Sequence, residues 1–139
     1  MIDPAAVQEF LAAHDRGVLT TIKRDGRPQS SVIVYGLIDG RVHISVTASR
    51  AKTHNARRDP RVSMLVTKDF GAHLIVEGTA SLSEVTTDPA DDAADLLVAT
   101  YRSIAGDHPD WDEYRQAMID QRRLVLSFDI EHAYGMGVG

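Results

Sequence analysis

Cysteine is absent from this chain, which excludes disulfide staples and thiolate-held metals and fits a reducing cytoplasm. No apolar stretch reaches the roughly 20 residues that a helix needs to cross a bilayer, so no membrane partner is expected. The opening MIDPAAVQEF puts acids and a proline where a signal peptide needs a basic and then an apolar run. The expected location is cytoplasmic. A net charge of −5 lacks the basic surplus of a general nucleic-acid binder. The sequence contains no nucleophile elbow G-x-S-x-G, no P-loop and no G-x-G-x-x-G before a helix, so a hydrolase reading has no site. None of the six histidines falls in an H-x-x-x-H or H-E-x-x-H spacing, and no metal site is expected.

What is present is unevenly charged. Between Arg50 and Arg61 stand Arg50, Lys52, Arg57, Arg58 and Arg61, five of the fifteen basic residues, against the single acid Asp59. From Glu84 to Glu113 nine acids face one base, Arg102. A local basic cluster on an acidic protein suits a compact anion, whereas a polyanion asks for a broader stripe.

The length, 139 residues, matches one domain spanning 1–139. Asp3-Pro4 reads as a cap and first helical position, and Val7, Phe10 and Leu11 give the stripe of a short helix. Strands follow at 17–23, at 29–35 after the Asp25-Gly26 turn, and at 42–46 after Asp39-Gly40. Residues 51–59 read as a polar helix stopped by Pro60. Val62, Met64 and Val66 mark another strand, and 73–82 alternate through a longer one. Asp88-Pro89 repeats the cap-plus-proline start of a helix reaching Gly106, and Asp110 with Glu113 forms a capping box before a third helix. The last strand is 122–130, and Gly135 to Gly139 reads as a tail. Six strands joined mostly by short turns predict a mainly β protein, an antiparallel sheet curled into a barrel with peripheral helices.

Two constellations offer chemistry. In the first, Ser45, Thr47, Ala48, Arg50, Lys52 and Thr53 lie where a strand ends and a helix begins. Free amides, hydroxyls, one fork-shaped and one point-like cation there favour an anion. The plain alternative is a solvated basic helix face with an ordinary Ser/Thr cap. In the second, Gln29, Ser30, Ser31 and Val32 enter a strand and can offer amides and hydroxyls to a planar heterocycle. Its alternative is a turn with exposed polar side chains. His132 and Tyr134 could donate a proton, although a structural role is the simpler reading, and no catalytic residue is assigned.

In order, the chain carries a helix, GVLTTIKRDGRPQSSVIVY, a strand into TASRAKTHNARRDPRVSMLV, then VEGTASL and RRLVLSFDIEHAYG. In this order the sequence resembles the pyridoxamine 5′-phosphate oxidase-like split barrels, and more closely the small actinobacterial F420-dependent oxidoreductases. The resemblance covers nearly the whole chain, and SRAKTHNARRDP is its most specific phrase. It implies a six-stranded split β-barrel of the FMN-binding type, acting as a homodimer with its cofactor at the subunit interface. By position, Arg50, Lys52 and Thr53 would hold the cofactor phosphate. Gln29, Ser30, Ser31 and Val32 would line the ring, with Ser45, Thr47 and Ala48 nearby, and Phe70 to His73 of the second subunit would close the pocket. The implied activity is hydride transfer between coenzyme F420, a deazaflavin, and a small unsaturated organic substrate. The alternatives are an FMN-binding oxidoreductase and a non-catalytic F420- or flavin-binding protein. Arg57 and Arg58 would extend the cluster toward the polyglutamate tail of F420.

Overall fold

Asp3 accepts a hydrogen bond from Ala5 N at 3.0 Å and so starts helix α1, Pro4–Ala12, whose Val7 and Leu11 turn into the interior. The computed structural model describes residues 2–139. Strands β1 (Arg16–Ile22) and β2 (Pro28–Val34) form the hairpin expected from Asp25-Gly26, with Gly26 at φ 88°. A short β3 (Gly36–Ile38) leads through Asp39-Gly40 into β4 (Arg41–Thr47), and α2 (Ala51–Arg58) follows. Then come β5 (Arg61–Asp69), β6 (Ala72–Thr79), β7 (Ser81–Leu82), α3 (Asp92–Ala105), α4 (Trp111–Asp120), β8 (Arg123–Phe128) and β9 (His132–Met136).

Among the described residues, nine strands form two antiparallel sheets where six strands were expected. One sheet runs β2-β1-β5-β6-β9 and the other β3-β4-β8-β7. Three local causes account for the difference. The run 73–82 breaks at Ala80, whose N–H bonds Pro60 O at 2.7 Å, so the chain leaves one sheet and joins the other as β7. Just before the break, Gly78 lets the end of β8 pass close by, because a Cβ there would collide with the carbonyl of Asp129. No strand was expected after Ile130, yet His132–Met136 pairs with β6 as β9, taking in Gly135 and Met136 from the start of the expected tail, and its sequence HAYGM is too exposed to show an inner face. The third, β3, is only three residues long.

Helix α3 also starts later than Asp88-Pro89 implied. Its cap is Asp91, which accepts from Ala94 N at 2.7 Å, while Asp88 sits in the preceding turn and accepts from Ala90 N at 2.8 Å. Asp110 caps α4 through Glu113 N at 3.1 Å, as the capping-box spacing predicts.

The main core lies between the sheets, with Leu19, Met64, Val66, Leu74 and Val76 facing Val42, Ile44, Val46, Leu124, Leu126 and Phe128. A second cluster, Leu97, Val98, Tyr114, Met118 and Val125, seats α3 and α4 on the other side of β8. Strand β8 is therefore covered on both faces, and Leu124 to Phe128 are all buried. Outside the core, the five-stranded sheet carries an apolar row at one level. Val32 stands opposite Val18, Val18 opposite Leu65, Leu65 opposite Ile75 and Ile75 opposite Tyr134. Val18, Leu65 and Ile75 are half-buried, and the ends of the row, Val32 and Tyr134, are 78% and 48% exposed.

Candidate functional site

The strand-to-helix junction predicted as an anion site borders a groove of about 370 Å³, within the size range of small-molecule sites. Ser45, Thr47, Arg50, Lys52 and Arg123 bring polar and charged groups to it, while Val32, Val34 and Ile104 give it apolar wall. Antiparallel pairing of β4 with β8 sets Arg123 directly opposite Thr47. Of the residues expected at the site, Val32, Ser45, Thr47, Arg50 and Lys52 thus meet in one place.

The electrostatics of the groove are one-sided. No carboxylate lines it. Among the described residues, neither Arg50, Lys52 nor Arg123 has an acidic partner within ion-pair distance. Burial, then Arg50 and Arg123, hold the Lys52 ammonium below its ordinary pKa. Helix α2 adds to the positive field, since its cap residue Arg50 supplies no side-chain acceptor to the amides of the first turn. Three cations and an open helix start around one apolar-walled hollow form an anion-binding arrangement.

The other expected residues surround this groove without lining it. Thr53 is fully buried and donates its hydroxyl proton to Thr47 O at 2.8 Å, which fixes the strand–helix junction from below. Ala48 N donates to Arg122 O at 2.9 Å. Gln29, Ser30 and Ser31 continue along β2 towards the hairpin. Gln29 Nε2 donates to Ser31 Oγ at 2.9 Å, Gln29 Oε1 accepts from Thr21 Oγ1 at 3.1 Å, and Ser30 Oγ lies 3.1 Å from Thr20 Oγ1. That network continues inward, where Asn55 Nδ2 donates to Thr21 Oγ1 at 3.2 Å and Arg58 Nη2 to Asn55 Oδ1 at 3.0 Å. Arg58 also donates to Ile22 O at 2.8 Å, so it ties α2 to the end of β1, while Arg57 is exposed. Phe70 is 97% exposed at the β5–β6 turn.

Sequence reasoning missed Arg123, Val34 and Ile104 as groove residues. Val34 was legible as the outer-facing neighbour of Val32 on β2. Arg123 and Ile104 gave no local signal, because they arrive through β4–β8 pairing and the seating of α3.

A family model described as pyridoxamine 5′-phosphate oxidase matches residues 3–137. Among solved structures, a conserved hypothetical protein of Mycobacterium tuberculosis is similar at 22% identity and TM-score 0.75, over 100% of this chain and 93% of that one. The heme storage protein of Vibrio cholerae is similar at 17% identity and TM-score 0.72, over 100% and 98%. A protein described as an F420 reductase is similar at 17% identity and TM-score 0.57, over 86% and 89%. These likenesses give the fold, and the family model gives the lineage: the chain belongs to the pyridoxamine 5′-phosphate oxidase family.

Proposed function

We propose that the protein is an F420-dependent oxidoreductase, working as a homodimer on a small unsaturated organic substrate. The observation that carries this reading is the groove in which Arg50, Lys52 and Arg123 lie without a carboxylate beside Val32, Val34 and Ile104. A cofactor with a phosphate at one end and a flat ring at the other matches that division. The similarity to an F420 reductase supports the choice of deazaflavin.

When bound, a deazaflavin supplies a hydride at C5 of its ring. The protein's own part is grip, orientation and exclusion of water. Arg50 and Lys52 hold the phosphoryl group, with Ser45 and Thr47 adding hydroxyls. Thr53 keeps the junction rigid through Thr47 O. Val32 and Val34 offer the ring an apolar edge. Ser30, on the same face of β2, continues that edge with its hydroxyl, while Gln29 and Ser31 on the other face brace the strand through Thr21, and Ala48 completes the turn into α2. The exposed Phe70 of a second copy closes the far side. The apolar row from Val32 to Tyr134 supports such a copy, since it runs out of the groove across the whole outer face of the sheet.

A second reading, FMN as the cofactor, gains from one observation. Arg58 is committed to Ile22 O and Asn55, so only Arg57 of that pair stays free to follow a polyglutamate tail. Equilibrium titration of the apo-protein with F420 and with FMN decides between them. Micromolar or tighter binding of F420, weakened by Arg57→Ala more than FMN binding is, supports the first reading. Tight FMN binding with indifference to Arg57→Ala supports the second. Oxidation of bound reduced F420 by enones or quinones separates an enzyme from a storage protein. Failure of both cofactors at micromolar concentration would end the functional reading.

A further inference from the structure

We infer that Arg123, the first residue of β8, is the third leg of the anion grip and the residue that sets its preference for a phosphoryl group. The inference rests on the reading of the groove as a phosphate site. Arg123 reaches the groove from β8, whereas Arg50 and Lys52 come from the start of α2. Arg123 is half-buried as a residue and has no carboxylate partner among the described residues. Its polar contacts are to neutral groups: Nε donates to Gln121 Oε1 at 3.0 Å, and Nη1 makes a long bond to Ser45 O at 3.4 Å. Much of the guanidinium's donor capacity is therefore unspent. Instead of an acid, its charged neighbours in the groove are two further cations, Arg50 and Lys52.

The backbone adds a second observation. Arg122, just before it, adopts a left-handed conformation with φ 54°, which non-glycine residues seldom take. Two bonds hold it there: Arg122 N donates to Ile119 O at 3.0 Å, and Ala48 N donates to Arg122 O at 2.9 Å. The second bond joins the α4–β8 turn to the same strand–helix junction that carries Arg50 and Lys52. A left-handed residue just past a helix end is a common stop, and here the turn it makes after α4 delivers Arg123 to the junction. The arrangement is a pincer, with a fork-shaped cation opposite a fork and a point charge.

The test uses inorganic pyrophosphate first, read as the rise in melting temperature at constant ionic strength, for wild type, Arg123→Gln and Arg123→Lys. Wild type is stabilised, Arg123→Gln binds about tenfold to a hundredfold more weakly, and Arg123→Lys recovers part of the loss. FMN and riboflavin are then titrated, as are F420 and its phosphate-free chromophore. Arg123→Gln weakens only the phosphate-bearing member of each pair. No stabilisation of wild type by pyrophosphate would overturn the inference, and so would unchanged binding by Arg123→Gln or an equal loss for riboflavin. If Arg123→Gln fails to fold, Arg123→Lys carries the same comparison. The two readings fail separately. Pyrophosphate held through Arg123 with neither cofactor bound removes the redox reading alone. Cofactor held through Arg50 and Lys52 with Arg123→Gln indifferent removes the third leg alone.

Discussion

Lys52 keeps its charge in an unfavourable place. Partial burial and then the neighbouring guanidinium groups of Arg50 and Arg123 lower its pKa, so in the empty groove the ammonium is held at a cost. An anion reverses both effects by supplying the missing opposite charge. Anion affinity is therefore fully present where Lys52 is protonated and falls as pH rises through the lowered value, below the ordinary 10.5. Titrating pyrophosphate from pH 7 to 10 against wild type and Lys52→Arg checks this. Wild-type affinity drops relative to the arginine variant as pH rises, and parallel curves would show that Lys52 does not contact the anion. At this scale the sequence was informative where chemistry is local. Arg50, Lys52 and Thr47 share one short phrase, and the strand–helix junction brings them together by itself. Arg123 stands 78 residues from Ser45, whose carbonyl it touches, and no periodicity carries that information.

Among the elements, α3 starts on a single cap that gathers several donors. Burial works against the charge of Asp91, yet the amides of Thr87, Ala94 and Asp88 and the hydroxyl of Thr86 outweigh it and bring the carboxyl down to about 2. Because the folded value lies below the unfolded one of about 3.9, the cap's contribution is complete above that pH. It is lost as pH falls towards 2. Asp91→Ala should cost about 1 kcal/mol of stability at neutral pH. In acid unfolding the variant and wild type should converge as pH approaches 2, and an equal gap at pH 2 and 7 would count against the cap. The cap matters to the site because α3 carries Ile104 into the groove wall. Helix existence was legible from apolar spacing, and the stop at Gly106 was placed correctly, with φ 76°. The start was misplaced because Asp88-Pro89 and Asp91 offer equal local signals, and the four donors gathered around Asp91 exist only in the folded turn.

For the whole molecule, alternation separated inner from outer faces on β2 but not on β8, where α3 and α4 bury Val125 and Ser127 as well. Ile33 and Tyr35 are buried, and Val32 and Val34 are exposed. It did not divide the strands between two sheets, because that division depends on the break at Ala80 and on pairing partners distant in sequence. The outer row from Val32 to Tyr134 became visible only once the registers were known. An apolar row of this continuity, half-buried at its centre and open at both ends, suits an interface, and the proposed second copy would cover it. Placing a charge at its centre with Ile75→Lys should convert a dimer to a monomer in sedimentation velocity and reduce cofactor affinity at the same time. A wild-type protein that sediments as a monomer, or a lysine variant that remains dimeric with full affinity, would contradict the interface.

Strand β8 runs between the two hydrophobic clusters with neighbours on both edges and side chains clamped above and below. A strand buried on both faces and paired on both edges opens late, because opening it exposes core on two sides. A guanidinium mounted at its first residue has little room to wander, whereas one on the rim of an eight-residue helix such as α2 rides on a shorter support. The groove therefore joins a fixed jaw to a more compliant one, a mechanical asymmetry that lets one side set position while the other adjusts to what is held.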